Sequence, residues 1–379
     1  MRATTALRAF LVMALVPLVA LPAYNLRDAA ARTYAQRLFA ERKVDRLQQL
    51  AYNVDFLVAA WNALTWRTGL STDPQKVIVG RDGWLFMGDR YANNLSAQRL
   101  GAGSNDAELA AGIGNNLLAW ESWLRTQGVQ AFVLQIGPDK HRVHPEYLPG
   151  WASLGKAPRV ELLTRGPARR LISDPAAALQ QAAAKGQPMP YYKTDSHWNL
   201  WGAAIAMRDL RQTLHTYGVS LQTALPDPPQ VDRVDRREGG DLSAFLRIQH
   251  QVEEFEPLPL GLEHPRGPSD IRDLATNAPV APAPHGQLQH PRLTLQVVTP
   301  SAANPLKVLW LRDSFGSALA PFFAADFRET IQIHWSYGLN RNAMQLVNLV
   351  HTHRPDVVVL TLVERVALAE LLLTQPPGQ

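Results

Sequence analysis

The sequence predicts an α/β protein in which a parallel β-sheet is flanked by helices. Strand and helix patterns alternate between residues 307 and 363, and a buried strand pattern at 130–136 follows a helical pattern at 107–126. A third helical pattern covers 199–217 and ends at a glycine. Strands that alternate with helices are typical of parallel sheets that are covered on both faces.

Length and composition are those of a globular protein. The chain has 379 residues, of which 46% are hydrophobic and 19% are charged, so it can bury a core and does not have the composition of a disordered chain. The net charge of +5 comes without a long Lys/Arg cluster or a recognition motif, and we therefore expect no nucleic-acid partner. The absence of cysteine excludes disulfides, cysteine catalysis and thiolate metal sites.

Residues 1–25 read as an export signal. Arg2 and Arg8 precede an uncharged, mostly apolar run from residue 9 to 25, which is the order of the charged and apolar regions of such signals. The run is shorter than the ~20 residues that comfortably span a bilayer, and Pro22 makes cleavage after Ala23 unfavourable. A cleaved signal peptide, a retained signal anchor and a buried N-terminal helix all remain open, and the first two place the rest of the chain outside the cytoplasm.

An amphipathic helix is predicted for residues 26–70, where apolar residues recur at helical spacing. The main domain is expected at 71–370. It opens with two short strand patterns on either side of Asp82-Gly83, a dipeptide typical of tight hairpin turns. A further helix is predicted at 159–185, with a break near Gly166-Pro167.

Composition changes between residues 226 and 305, which hold 13 of the 28 prolines. Proline lacks an amide donor and fixes φ, so few long elements are expected there. We interpret this stretch as an insertion in the main domain, with packable segments at 242–248 and 293–298. Strand patterns resume at 308, and residues 371–379 are expected to form a tail.

Two distant segments carry the residue types of a catalytic triad. Asp195 and His197 are two positions apart, and Ser314 follows the strand pattern that ends at Leu311. Residues i and i+2 of an extended segment point to the same side, so Asp195 can orient His197 as a general base toward Ser314 as the nucleophile. The carboxyl ends of parallel strands, where active sites lie, favour this interpretation. The alternatives are that Ser314 is a helix cap and that His197 is a hydrogen-bonded histidine of a turn.

A metal centre is the other interpretation of the histidines. His351 with His353, and His141 with His144, are of ligand type, but they lie where histidines of helix ends and loops are common. The spacing of a metalloprotease helix is absent. We therefore expect neither a catalytic metal nor a cofactor.

Several blocks in order along the chain resemble the alginate O-acetyltransferase family of the AlgJ/AlgX type, whose domain is similar to SGNH hydrolases. They span roughly residues 75 to 367 and are 80–86 (GRDGWLF), 138–140 (PDK), 145–149 (PEYLP), 193–199 (KTDSHWN), 240–242 (GDL), 312–316 (RDSFG) and 363–365 (VER). The resemblance implies an SGNH-hydrolase-like fold. It also implies a periplasmic O-acetyltransferase in which Ser314 carries the acetyl group before a sugar hydroxyl accepts it.

The same resemblance implies the partners and the location. The acceptor would be an exopolysaccharide, alginate-like or cellulose-like, and a membrane-bound O-acyltransferase would supply acetyl groups beside other polysaccharide secretion proteins. The chain ends soon after the main domain and has an apparent signal anchor, so it resembles AlgJ more than AlgX and is expected to be anchored to the inner membrane. Arg312 departs from the glycine that SGNH-type sequences usually have before Asp-Ser.

Two other functions remain open. The same triad serves an acetylesterase, because water and a sugar hydroxyl compete for one intermediate. A non-catalytic, glycan-binding subunit of a secretion complex is the second alternative. The oxyanion donors are not identified by the sequence: the Ser314 amide is the first candidate, and Gly137 and Asn199 are weaker ones. Candidate contacts to the glycan or the acetyl intermediate, with ion pairing or packing as the alternative role, are Lys140, Arg312, Tyr337 and Arg365.

Overall fold

The computed structural model describes residues 2–154, 157–186, 188–223, 225–262, 268–288, 292–340 and 342–378. The chain divides into two compact units, Met1–Thr65 and Trp66–Gln379. The first unit is helical, and the second contains the sheet and the residues of the expected site. The predicted triad therefore belongs to one unit.

The first unit consists of four helices, α1 (Arg2–Asn25), α2 (Ala29–Ala40), α3 (Val44–Ala51) and α4 (Asp55–Thr65). In α1 the stretch Arg8–Asn25 is long and apolar enough to cross a membrane, and none of it is buried in the protein. The single helix predicted for 26–70 is instead three helices. Asp28 caps the start of α2 by accepting a hydrogen bond from the Ala31 amide, and Arg42, at a φ of 55°, separates α2 from α3.

Within the described residues, the second unit has a seven-stranded sheet in the order β4-β3-β11-β9-β10-β8-β7. The first five strands of this order are parallel, and β8 and β7 extend the sheet in antiparallel fashion. Two hairpins, β1 with β2 and β5 with β6, stand apart from it. The strands are β1 (Val77–Val79), β2 (Leu85–Met87), β3 (Ala131–Gly137), β4 (Ile172–Ser173), β5 (Val231–Glu238), β6 (Glu253–Pro259), β7 (Asp270–Asp273), β8 (Leu295–Val298), β9 (Asn304–Arg312), β10 (Phe327–His334) and β11 (Val357–Val363).

Helices cover both faces of the sheet. Alternate residues of the parallel strands point to opposite faces. Val308 and Trp310 therefore pack in one core cluster with α10 (Leu200–Thr216) and α12 (Gly316–Asp326). Leu309 and Leu311 pack in the other with α6 (Asp106–Thr126) and α14 (Met344–His353). This confirms the predicted α/β class. The helices of this unit are α5 (Asn94–Leu100), α6 (Asp106–Thr126), α7 (Lys140–Val143), α8 (Glu161–Thr164), α9 (Ala176–Ala184), α10 (Leu200–Thr216), α11 (Asp241–Phe245), α12 (Gly316–Asp326), α13 (Trp335–Leu339) and α14 (Met344–His353).

Two stretches differ from the expectation. The helix predicted for 159–185 is wrong, because α8 is short and the edge strand β4 precedes α9. The proline-rich stretch 226–305 is more regular than expected: it forms the β5–β6 hairpin, and β7 and β8 join the central sheet. A proline such as Pro257 is tolerated in β6 because that strand belongs to a two-stranded hairpin, where few ladder donors are needed.

A chain of buried hydrogen bonds ties three strands to α10. Trp310 Nε1 donates to Thr361 Oγ1 at 2.8 Å, and the Thr361 hydroxyl donates to Gln135 Oε1 at 3.0 Å. Gln135 Nε2 then donates to the Ala206 carbonyl at 3.1 Å. All four residues are buried, so each polar atom in this series has the next residue of the series as its hydrogen-bond partner.

We expect Thr361→Val to lower the free energy of unfolding by about 2–3 kcal/mol, because it leaves the Trp310 indole N–H and Gln135 Oε1 buried without a partner. Thr361→Ser keeps the hydroxyl and loses one methyl group, and should cost about 1 kcal/mol. Urea denaturation of both variants measures the difference. Equal losses would show that the hydroxyl contributes little.

Candidate active site

Residues 193–199 form a loop that leads into α10. The bridge between Tyr191 and Trp198 closes the loop, and Asn199 caps the helix by accepting a hydrogen bond from the Gly202 amide at 3.0 Å. Asp195 Oδ1 accepts a hydrogen bond from the His197 amide at 3.0 Å. The segment is thus a side-chain-stabilised turn and not the extended segment expected from the sequence, and the turn sets Asp195 beside His197.

Ser314 lies in the turn between β9 and α12. Its Oγ is 2.9 Å from His197 Nε2, and His197 Nδ1 is 2.7 Å from Asp195 Oδ1. The structure therefore brings together the three residues of the predicted triad, across 117 positions of the chain. Both distances are within hydrogen-bond reach, as proton transfer from a hydroxyl requires.

Asp313 fixes the turn that carries Ser314. Its carboxylate is buried and accepts hydrogen bonds from the amides of Phe315 (2.9 Å) and Val363 (2.7 Å), which ties the turn to the carboxyl end of β11. Trp198 Nε1 donates to the Phe315 carbonyl at 3.0 Å and so joins this turn to the loop of His197. The Ser314 amide makes no hydrogen bond within the described part of the chain, so it is available to an oxyanion.

Lys140 holds the other side of the loop. It follows β3, is 3% exposed, and its ammonium donates to the carbonyls of Tyr192 (3.0 Å), Lys193 (3.1 Å) and Asp195 (2.7 Å). Burial lowers the pKa of Lys140 to about 8, although the charges of nearby carboxylates oppose this shift. An ammonium engaged in this way presents no surface to a glycan, which corrects the expectation that Lys140 contacts the substrate.

Arg312 also has an internal role. It is fully buried at the end of β9, where its Nε donates to Gln332 Oε1 at 2.9 Å. A Cβ atom on Gly316 would lie 2.7 Å from Arg312 Cδ, so the arginine stem requires the glycine that opens α12. Arg312, which departs from the family pattern, is therefore accommodated by the glycine at position 316. Its burial also corrects the expectation that Arg312 contacts a glycan.

The remaining candidates are placed differently. Arg365 forms an ion pair with Asp139 and is 13% exposed. Burial raises the pKa of Asp313, and the charge of Arg365 opposes this shift. Tyr337 is exposed on α13, with its ring centroid 5.4 Å from that of His334.

The two weaker oxyanion candidates have other roles in the structure. A Cβ on Gly137 would lie 2.5 Å from the Phe315 ring, so this glycine serves close packing. Asn199 uses its side-chain amide to donate to the Met189 carbonyl at 2.6 Å. Of the donors considered from the sequence, the Ser314 amide is the one that fits an oxyanion.

Asp241 is a site residue that the triad prediction missed. It accepts hydrogen bonds from the Ser196 amide (2.7 Å) and hydroxyl (2.6 Å), and its Oδ2 lies 3.8 Å from His197 Nδ1. Its own amide donates to Asp195 Oδ2 at 3.2 Å. A Cβ on Gly240 would lie 2.2 Å from Asp195 Cβ, which explains the glycine of the GDL block. The GDL block was the one sequence signal of this contact. Asp241 lies in the proline-rich stretch 226–305, which the sequence analysis interprets as an insertion and not as part of the site.

Charges around the imidazole favour its protonated form. Burial lowers the pKa of His197, but the hydrogen bond to Asp195 and the charges of Asp195 and Asp241 outweigh this effect, so the pKa is raised overall. Burial alone would raise the pKa of Asp195, yet the hydrogen bond and charge of His197 and the charge of Arg237 hold it well below its usual range. The dyad therefore stabilises an imidazolium, as a general base needs after it takes a proton.

Asp195, His197 and Asp241 are also of the residue types that bind metal ions. One donor atom each from Asp195, His197 and Asp241 lies within 4.8 Å of the others. His197 Nδ1, however, is already in the 2.7 Å contact with Asp195, and both Asp241 oxygens accept hydrogen bonds from Ser196. The contacts fit an oriented general base better than a set of free ligands.

Comparison with known proteins supports one family. The model of the SGNH hydrolase-like domain of acetyltransferase AlgX matches residues 77–268. The probable alginate O-acetylase AlgJ of Pseudomonas aeruginosa is 30% identical over 268 residues, which are 66% of this chain and 60% of that protein. AlgJ of Pseudomonas fluorescens is 28% identical over 64% of this chain and 61% of its own length. The chain thus spans about 60% of the length of these curated relatives.

A solved structure supports the fold. That of Bacillus cereus PatB1 covers 78% of this chain and 98% of its own, with a TM-score of 0.54 at 14% identity. At this identity the likeness concerns the fold alone, and together with the family model it confirms the SGNH-like architecture.

We expect Lys140→Met to lower the free energy of unfolding by about 3 kcal/mol, because three carbonyls at the site lose their shared donor. The matched control is Lys185→Met, which removes a lysine from an exposed position at the end of α9 and should change stability by less than about 0.5 kcal/mol. Guanidinium denaturation measures both. A Lys140→Met protein as stable as the control would contradict the role assigned to this ammonium.

Proposed function

The chain belongs to the family of SGNH hydrolase-like acetyltransferases represented by AlgX, and on that premise we propose that it moves an acetyl group through Ser314 onto hydroxyls of an exopolysaccharide. The observation that carries this proposal is the alignment of Ser314, His197 and Asp195, with contacts of 2.9 and 2.7 Å. The names of the curated relatives, probable alginate O-acetylases, support an alginate-like acceptor.

In the first half of the proposed reaction, His197 Nε2 accepts the proton of the Ser314 hydroxyl while Oγ attacks the carbonyl carbon of an acetyl donor. The tetrahedral oxyanion is stabilised by the Ser314 amide, and Asp195 stabilises the imidazolium. The carbonyl re-forms as the bond to the leaving group breaks, and the leaving group takes the proton from His197. The product is an acetyl ester on Ser314.

In the second half, a sugar hydroxyl takes the place of the leaving group. His197 accepts its proton, the sugar oxygen attacks the acetyl carbon, and the bond to Ser314 Oγ breaks as His197 returns the proton to the serine. The polysaccharide gains one ester, and the enzyme is restored. Water in the position of the sugar would give hydrolysis, so the acceptor decides between the transferase and the esterase.

We also propose that the enzyme lies in the periplasm and is anchored to the inner membrane by α1. The support is the apolar stretch Arg8–Asn25, which is unburied and long enough to cross a membrane. Acetyl groups would reach Ser314 from a membrane-bound O-acyltransferase, as the family resemblance implies. Other secretion proteins would present the polymer.

Ser314→Ala is expected to reduce the turnover of 4-nitrophenyl acetate, and the acetylation of an oligosaccharide by this donor, on the order of 10³-fold or more, because the covalent route is lost. The matched control is Ser317→Ala, which removes a second hydroxyl three residues away in α12. Oligomannuronate and cello-oligosaccharide are offered in parallel, and mass spectrometry detects the acetylated product. Full turnover by Ser314→Ala would refute the triad, and turnover without any acetylated sugar would favour an esterase.

Asp241→Asn is expected to move the acidic limb of the pH profile of kcat/KM to lower pH. The limb reports the protonation of His197 in the free enzyme. Because the charge of Asp241 raises the pKa of His197, its removal lets the imidazole stay neutral in more acidic solution. Glu238→Gln, which neutralises an exposed carboxylate of β5, should leave the limb in place. An unmoved limb in Asp241→Asn would show that this carboxylate has no influence on the base.

A further inference from the structure

Helix α4 is mostly apolar. Between its end residues Asp55 and Thr65 the single polar residue is Asn62, which is buried. Leu57, Trp61 and Leu64 recur at i, i+4 and i+7, so they form one face, and they are 52%, 58% and 76% exposed. A helix of this kind is normally covered by protein or by lipid, because exposure of apolar side chains to water is unfavourable.

The start of α4 is fixed to the end of α1. The rings of Tyr24 and Phe56 lie 4.1 Å apart between centroids, and Asn25 Nδ2 donates to the carbonyls of Ala51 and Asn53, both at 2.8 Å. The Tyr52 hydroxyl donates to the Leu18 carbonyl at 3.4 Å. These contacts place the α3–α4 junction along the last two turns of α1.

This position is where a bilayer would end if α1 enters one. Leu18 is seven residues before the end of α1, which corresponds to roughly 10 Å along the helix axis. The aromatic rings of Tyr24, Tyr52 and Trp61 are of the kind that concentrate at membrane–water interfaces.

The charge of the unit fits the same environment. Between residues 26 and 65, six basic side chains outnumber four acidic ones. Basic side chains next to a membrane helix are attracted to anionic lipid headgroups. An amphipathic or apolar helix that lies in the headgroup region buries its apolar face at the acyl boundary.

We propose that α4 lies in the headgroup region of the membrane that α1 enters, with Leu57, Trp61 and Leu64 at the acyl boundary. This inference rests on the anchoring by α1 that is part of the proposed function. On this proposal the segment that follows α1 is bound to the membrane surface and is not a flexible linker. The second unit then begins, at Trp66, one residue after a helix that is held at the bilayer.

The absence of cysteine in the chain allows a direct test. Leu57→Cys and Leu64→Cys are each labelled with a nitroxide in the full-length chain, which is reconstituted in vesicles of phosphatidylethanolamine and phosphatidylglycerol. The matched control is Arg236→Cys, at a side chain of β5 that is 72% exposed. Accessibility to oxygen and to a water-soluble nickel chelate measures the depth of each label, and flotation measures membrane association separately.

We expect the chain to float with the vesicles, and the ratio of oxygen to nickel accessibility at residues 57 and 64 to exceed that at residue 236 severalfold. Flotation with a control-like ratio would overturn the inference and leave the anchor intact. Labels that are shielded from both reagents, in vesicles and in detergent alike, would show that protein covers α4 and would also overturn it. A chain that does not float would contradict the proposed anchoring, and the inference would fall with it.

Discussion

The buried ammonium of Lys140 is the interaction on which the site depends. Parallel pairing brings the carboxyl ends of the neighbouring strands β3, β11 and β9 to the same end of the sheet, but this does not by itself fix the loops that follow the strands. Lys140 does so by donating to three carbonyls of residues 192–195 from the end of β3. Asp313 fixes the turn of Ser314 in the same way, because its carboxylate accepts a hydrogen bond from the Val363 amide. The 2.9 Å contact between His197 and Ser314 follows from these two attachments.

Much of the architecture was predictable because its signals are local. Strand β11 has the predicted bounds, and β3 and α10 agree with the prediction within a residue at either end. The candidates Asp195 and His197 were found because their two-residue spacing is a local property, although a turn and not a strand sets their geometry. The two-residue strand β4 is too short for periodicity to reveal. In the proline-rich stretch 226–305, β7 was not predicted, and β8 was expected only as a packable segment at 293–298.

The parts that sequence reasoning missed are contacts over long distances. Asp241 meets Ser196 across 45 positions, and Lys140 meets Asp195 across 55. Residue type made Lys140 and Arg312 candidates for contact with a glycan, because basic side chains are usually exposed. Only the fold shows that both are buried and that their charge serves the internal structure of the site.

The central claim is that Ser314 carries the acetyl group, and the most direct measurement locates that group. The protein is mixed with an activated acetyl ester, quenched in acid within milliseconds to seconds, digested and examined by peptide mass spectrometry. The proposed mechanism predicts an acetyl group on Ser314 that disappears when an acceptor oligosaccharide is added before the quench. Ester turnover with no acetyl on Ser314 at any time, or with the acetyl group on another residue, would contradict it.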